Sequence, residues 1–375
     1  MSVSPPPYPY ERLDALRQRA ARHDGGGIDC SIGTPVDPPP PAVLEELARG
    51  VDARGYPLSA GSIAYRESCA AWMARRFGVT LEADEVAACV GTKEFVASLA
   101  GFLALGNRDR DTVLYPSISY PTYAMGATLA GLRTVAVPRR EDGRTDLDAI
   151  TASDRDRALV LWVNSPSNPT GSLDDLERIA TWGRDHGVVV ASDECYADYT
   201  WADQPRSILQ YGREGVVAVH SISKRSNLAG LRAGFYAGDR ALVGRVRSWR
   251  QHAGLMVAGP VQAAVAVAYG DDEHVEQQRA RYRARLESLR RALGEVGITA
   301  AMPEGAFYLW AHRAGDDGWS LAEWLADAAG LVVSPGELYG VAGASFVRVA
   351  VVQPDERIEL AAQRLRGDST TRSST

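Results

Sequence analysis

Lysine is nearly missing from this chain. Two lysines, Lys93 and Lys224, stand among 41 basic residues, and the rest are arginine. Arginine keeps its proton in a protein and forms no imine, whereas a lysine can lose its proton and act as a nucleophilic amine. A high-GC coding bias accounts for most of the shortage. It does not explain why both survivors fall in short segments resembling anion cups, Gly91-Thr92-Lys93-Glu94 and Ser221-Ile222-Ser223-Lys224. Cysteine is scarce too. Cys30, Cys69, Cys89 and Cys195 have no CxxC spacing and no histidine pattern beside them, which argues against disulfides and metal sites and for reduced, buried thiols. Long apolar runs are lacking: the longest, around 261–269, is too short to cross a bilayer. The N-terminus is proline-rich and then charged, without the apolar core of a signal peptide. Positive charge is not in excess either. A net charge of −6 and a pI near 5.6 argue against a nucleic-acid partner. The expectation is a cytoplasmic protein with no nucleic-acid, membrane or metal partner.

What is present is an ordinary globular composition. With 375 residues, 45% apolar and 23% charged, the chain can bury a large core, in two domains or one large one. Strand-like runs at 86–90, 112–115, 134–137, 158–163, 188–192, 216–220 and 234–237 alternate with helical patterns such as 173–186. That alternation predicts an α/β domain with a largely parallel sheet, whose ligands gather at the carboxyl ends of the strands. After Asp239 the pattern changes. Helices are expected at 241–252, 273–293, 321–329 and 355–365, with short strands at 306–311 and 346–351, an α+β layout. The arginines dense in 279–291 read as a solvated face with i,i+4 charge pairs. Residues 1–50 are expected to form an N-terminal arm and part of a smaller domain, with a helix at 42–53. Residues 51–270 form the large domain, 271–367 the C-terminal part of the small one, and 368–375 a flexible tail.

The strand ends carry the chemistry. The run 188–192 leads into Asp193-Glu194-Cys195-Tyr196, an acid with a phenol three residues on. Alone, such an acid is more often a loop or cap residue. The run 158–163 ends in Asn164-Ser165-Pro166-Ser167-Asn168-Pro169-Thr170-Gly171, where two prolines stiffen the backbone around Asn168. The run 216–220 ends in Ser221 and Ser223 with Lys224 beside them, and Arg232 returns eight residues on. Hydroxyls and a guanidinium suit a phosphate dianion. Gly91, Thr92 and Lys93 precede a helix, whose first N–H groups attract anions. Each cup alone reads as a capped helix start. Together they supply a phosphate site, a carboxylate, a phenol, an amide and a lysine at the ends of one sheet.

Pyridoxal 5′-phosphate is a cofactor that needs those five partners. Lys224 is its Schiff-base lysine. Asp193 keeps the ring nitrogen protonated, so the ring draws electrons from the substrate's Cα. Tyr196 and Asn168 hold the phenolic oxygen. Lys224, once freed by substrate, moves the proton. His186, His220 and His252 lack metal-ligand spacing and read as structural.

Over nearly its whole length the chain resembles fold-type I, class I aminotransferases. The resemblance rests on Ile32-Gly33-Thr34-Pro35, Tyr56-Pro57-Leu58-Ser59-Ala60-Gly61, Asn168-Pro169-Thr170-Gly171, Asp193-Glu194-x-Tyr196, Ser221-x-Ser223-Lys224 with Arg232-x-Gly234, Pro303-Glu304-Gly305-x-Phe307-Tyr308 and Phe346-Val347-Arg348-Val349. It implies an aspartate-aminotransferase-like α/β fold: a large domain with a mostly parallel mixed sheet and a smaller α+β domain. It also implies that Tyr120 stacks on the cofactor ring and that Tyr56 reaches the neighbouring subunit's phosphate in a homodimer with shared active sites. Arg348 would grip the substrate α-carboxylate, with Gly33 and Asn168 beside it. For Tyr120 a core tyrosine, and for Arg348 a water-facing edge arginine, are the competing readings.

Within the family the chain is most similar to actinobacterial N-succinyl-diaminopimelate aminotransferases, through 31–38, 91–94, 164–171, 192–196, 228–235 and 333–351. The implied reaction moves an amino group between glutamate and a keto acid bearing a distal succinyl group. Two departures stand out: Tyr65 precedes Arg66 where leucine is general, and the loop 251–260, which the resemblance places at the substrate entrance and so beside the distal half of the substrate, lacks a lysine and a proline of close relatives. Another reaction on the same scaffold stays open: β/γ-elimination, γ-replacement or cyclisation in specialised metabolism. A non-enzymatic cofactor-binding regulator is disfavoured, because the residues before Gly33 hold no helix-turn-helix.

Overall fold

The computed structural model describes residues 9–50, 54–107 and 109–372. They divide into two compact units. The larger holds Asp37–Arg279 and Glu304–Ala306; the smaller holds the residues up to Val36, Ala280–Pro303 and those from Phe307 onward. Strand β1 (Ile28–Asp29) belongs to the smaller unit. The larger contains β2 (Val86–Cys89), β3 (Thr112–Pro116), β4 (Arg133–Val137), β5 (Ala158–Asn164), β6 (Val189–Asp193), β7 (Val216–Ser221) and β8 (Gly234–Gly238). These form one seven-stranded sheet in the order β2-β8-β7-β6-β5-β3-β4. Strand β8 runs antiparallel to both its neighbours. Every other pairing in the sheet is parallel.

The central strands are apolar on both faces, as a sheet covered on both sides requires. Period-two alternation assigns the faces. Val160, Trp162, Ala191, Val217 and Val219 pack into one core layer with Phe95 and Tyr123. Leu161, Val163, Val190, Val216 and Ala218 pack into the other, with Trp72, Ile179 and Phe235. The outermost strand, β4, is largely exposed and begins with Arg133. A charged, exposed strand of this kind discourages pairing with another chain.

The smaller unit resumes with β9 (Thr299–Ala300), β10 (Tyr308–His312), β11 (Leu331–Val332), β12 (Ser334–Pro335) and β13 (Val347–Ala350). Strands β12-β13-β10-β9 form an antiparallel sheet, and β1 pairs with β11 in parallel. Helix Gly318–Ala329 packs against Asp14–Ala20 and against Asp355–Arg372.

Several sequence expectations need correcting. The helix expected at 42–53 is Pro41–Arg49; it packs on Gly259–Gly270 within the larger unit, so residues 37–50 are not part of the smaller one. Residues 51–53 lie outside those described. The helix expected from 173 begins at Leu176, where Asp175 caps it by accepting from Arg178 N–H. Strand β10 starts at Tyr308 rather than 306, because Ala306 sits at φ +62° and its N–H donates to Tyr199 O. The final helix runs on to Arg372, past the tail expected from 368. The arginines of helix Glu273–Glu295 are not all solvated. Arg283 pairs with Glu287, but Arg285 is buried against Asp355, and Arg279 donates to Asp198 O and Thr200 O. Cys30, Cys69 and Cys89 are buried and Cys195 half-buried, and burial pushes all four thiols up and holds them protonated.

Candidate active site

The register of the sheet brings the predicted residues to one edge. Asn164, the last residue of β5, pairs with Asp193, the last of β6. Asp193 pairs with Val219 on β7, and Ser221, the last of β7, pairs with Gly234 at the start of β8. Gly234 in turn pairs with Cys89 at the end of β2. Asp193, Tyr196, Asn168, Ser221, Ser223, Lys224, Arg232, Gly91, Thr92, Lys93 and Tyr120 therefore all follow or close strands along the carboxyl edge of one sheet.

Alternation within β6 decides what Asp193 meets. It points to the face of Ala191 and Trp162, where Tyr123 lies. Tyr123 donates from its hydroxyl to Asp193 Oδ2 at 2.9 Å, and Cys195 N–H donates to Oδ1 at 3.2 Å. Asp193 is buried, and desolvation pushes its carboxyl up, against the downward pull of Cys195, Tyr123 and His220. Ser192 and Glu194 point to the other face. There Glu194 accepts from Ser192 Oγ and Ile208 N–H, beside His220 packed among Trp72, Phe77 and Phe235. His220 is thus structural, and His186 likewise contacts Trp182 O.

The loop after β5 is held by Asn164. Its side-chain N donates to Asp193 O at 2.8 Å and its Oδ1 accepts Asn168 N–H at 2.7 Å. Arg139 adds donors to Ser167 and Ser172. Asn168 and Tyr196 are both buried.

The cup has two walls. Helix Thr92–Ala104 starts after Gly91 with no side chain capping it. Gly91 lies at φ +74°, and a Cβ there would stand 2.2 Å from an Arg232 guanidinium nitrogen. Only glycine gives both that backbone and that approach. Opposite, Ser221 Oγ donates to Ser223 Oγ at 2.8 Å and accepts Ser223 N–H. Arg250, side chain 1% exposed, clamps the helix start through both oxygens of Glu94 at 2.7 and 2.6 Å. Lys224 is half-buried, and its carbonyl accepts from Tyr199. Its neighbour Arg225 is anchored by Ala268 O, Asp271 O and Asp272. Lys93 is exposed, with its amine 6.0 Å from the centre of the Tyr120 ring.

Three predicted residues do not follow strands of that sheet. Tyr56 is 97% exposed. Gly33 and Arg348 belong to the smaller unit. There the Arg348 guanidinium lies 4.4 Å from the centre of the Tyr308 ring and 4.9 Å from that of Tyr339, and it donates to Ser31 O at 2.5 Å. Gly33 leaves room for the Tyr308 hydroxyl, which would lie 2.2 Å from a Cβ.

Residues 26–365 match the family described as aminotransferase class I and II. The chain is 44% identical to the 4-dedimethylamino-4-oxo-anhydrotetracycline transaminase OxyQ of Streptomyces rimosus, over 96% of this chain and 99% of that protein. It is 42% identical to a probable aminotransferase of Mycobacterium tuberculosis, over 97% of this chain and 86% of that one. A probable N-succinyldiaminopimelate aminotransferase from Thermus thermophilus superposes with TM-score 0.86 at 33% identity, covering 96% of this chain and 99% of that one. The chain belongs to the class I and II aminotransferases. It is a pyridoxal-phosphate-dependent transaminase.

The residues of this aminotransferase fit that cofactor by their own chemistry. A notch at Gly91 beside Arg232 and two paired serine hydroxyls suit a phosphate; a buried acid suits a ring cation; the Lys224 amine would suit an aldehyde. The sequence reading missed Tyr123, Asn164, Arg225 and Arg250. Asn164 was legible as the amide closing a strand four residues before Asn168. Tyr65, the departure from the family leucine, is buried and donates to Gly234 O at 2.6 Å. In the loop 251–260, Leu255 O accepts from Ser59 and Val257 O from Gln262, whose amide also holds Leu58 O and Ser62 N–H. The loop thus braces the segment that follows Tyr56. Among the described residues no cluster has the make-up of a metal site, and no helix is long and apolar enough to cross a membrane.

Proposed function

We propose that this aminotransferase takes the α-amino group of an acidic donor, glutamate, and delivers it to a long keto acid bearing a distal acyl group such as succinyl. The observation that carries the catalytic part is the convergence of Lys224 and the buried Asp193 on adjoining strand ends of one sheet. Pyridoxal 5′-phosphate, when bound, supplies an aldehyde for an amine and a ring that withdraws electrons from the substrate's Cα. Lys224 binds it and, once released, carries the proton at Cα. Asp193 holds a proton on the ring nitrogen by charge. Tyr196 and Asn168 donate to the ring oxygen, and Tyr120 covers the ring face. Gly91, Thr92, Lys93, Ser221, Ser223 and Arg232 hold the phosphate, joined by Tyr56 from the second subunit of a homodimer. Tyr56 is exposed enough for that role. Arg348 orients the donor by a bidentate grip on its α-carboxylate, with Gly33 beside it; the two tyrosine rings hold the guanidinium in place.

A second acceptor class is favoured by one finding, the 44% identity along both full lengths to OxyQ, whose name specifies an oxo-anhydrotetracycline. That acceptor is a bulky ring ketone. A donor screen followed by absorbance, then mass spectrometry of products from succinylated keto acids and from polycyclic ketones, separates the two. Amination of the succinylated keto acid with glutamate supports the first reading. Amination of ring ketones alone replaces it with the second. No conversion of bound cofactor by any amino donor overturns both.

A further inference from the structure

We propose that Tyr123 is a positioning residue of the reaction, whose hydroxyl fixes the orientation and the charge of Asp193. This rests on the reading of Asp193 as the partner of the cofactor ring. The geometry is side chain to side chain across 70 residues of sequence: Tyr123 Oη donates to Asp193 Oδ2 at 2.9 Å, both groups buried. The other oxygen, Oδ1, accepts Cys195 N–H. The Cys195 thiol also bonds the carboxylate, and Tyr123 Oη on one oxygen with Cys195 N–H on the other defines the carboxylate plane.

The phenol is itself held. Its ring stacks on Trp162, centres 5.2 Å apart and planes 26° from parallel. It meets Tyr120 edge-on at 6.1 Å and 85°. Tyr123 thus joins Asp193, which acts on the ring's nitrogen, to Tyr120, which covers its face. Burial and the Asp193 charge push the Tyr123 phenol up, so it keeps its proton and remains a donor. The titratable groups facing Asp193 are Tyr123, Cys195, His220 and Cys89. Of these, Tyr123 alone supplies a hydroxyl to the carboxylate. Without it the anion loses a charge-assisted bond in a dry setting, and the proton affinity of Asp193 rises. Acid then strips the cofactor's partner of its charge at a higher pH.

The test acidifies the holoenzyme in steps and measures, by visible absorbance after gel filtration, how much cofactor stays bound. Tyr123→Phe should shift the midpoint of loss to higher pH and lower kcat with little change in KM. Its cofactor affinity at neutral pH should fall on the order of tenfold, the scale of one bond to a charged group. Replacing Tyr123 by a ring-fluorinated tyrosine, a stronger donor of the same shape, should shift the midpoint the other way. A structural role gives no such opposed pair, and the fluorinated protein serves should the phenylalanine variant fail to fold. Asp193→Asn, measured alongside, should lose cofactor at every pH. If it does and both Tyr123 proteins match the wild type, the proposal is overturned while the role of Asp193 stands. If Asp193→Asn also matches the wild type, the role of Asp193 falls, and this proposal with it.

Discussion

The two ends of the site are built on opposite principles. At the acid end, Asp193 is buried, and long-range side-chain contacts from Tyr123 and Asn164 fix its surroundings. At the cup end, an uncapped helix start, a glycine at positive φ, two serines and an exposed arginine offer short-range donors. The acid end works by keeping water away from one charge, so that charge is expensive until a cation meets it. The cup works with backbone N–H groups and with buried hydroxyls that satisfy each other. Losses at the acid end should fall on turnover, pH response and cofactor affinity together, and losses at the cup on affinity alone.

Four changes would break or sharpen that contrast. Lys224→Ala, at the join of the two ends, should abolish the visible absorbance of bound cofactor and cut turnover by at least about a thousandfold. Its near-UV circular dichroism should match the wild type. Asp193→Asn should cut turnover by about a hundredfold or more, since it removes a preorganised charge. It should also stabilise the cofactor-free protein at neutral pH. The sign follows from burial, which raises the carboxyl in the fold above its unfolded value. The native state then holds the proton longer than the unfolded chain. Stability is present below the unfolded pKa and is lost as pH rises through the folded one. Thermal melts of the two cofactor-free proteins should therefore differ at pH 7 and converge in acid. Arg232→Ala should weaken cofactor binding by about ten- to a hundredfold, one charge-assisted contact, while saturated turnover holds nearer to wild type. Glu94→Gln, which leaves the buried Arg250 short of its anion, should cost about 2–3 kcal/mol in urea unfolding.

The same contrast explains what could be read from the sequence. The cup is local: Gly91-Thr92-Lys93 and Ser221-x-Ser223-Lys224 are contiguous, so composition and spacing expose them. The inner strands were legible because a sheet covered on both faces demands continuous apolar runs. The acid end is not local. Nothing in Tyr120-Pro121-Thr122-Tyr123 says that the second tyrosine reaches a strand end 70 residues away. The face of Asp193 follows only from strand register. Arg225 and Arg250 were hidden for a related reason. A chain with so many arginines gives no local sign of which ones fold inward. Domain limits were misjudged where one short helix, Pro41–Arg49, found its partner in Gly259–Gly270, more than 200 residues on.

The proposed bond between Lys224 and the cofactor is covalent, and a single measurement reaches it. Reduce the purified holoenzyme with borohydride, digest it, and locate the pyridoxyl mass by tandem mass spectrometry. The account predicts one modified peptide, carrying the label on Lys224, with Lys93 unlabelled. A label on Lys93 instead, or no labelled peptide from protein reconstituted with excess cofactor, would contradict it.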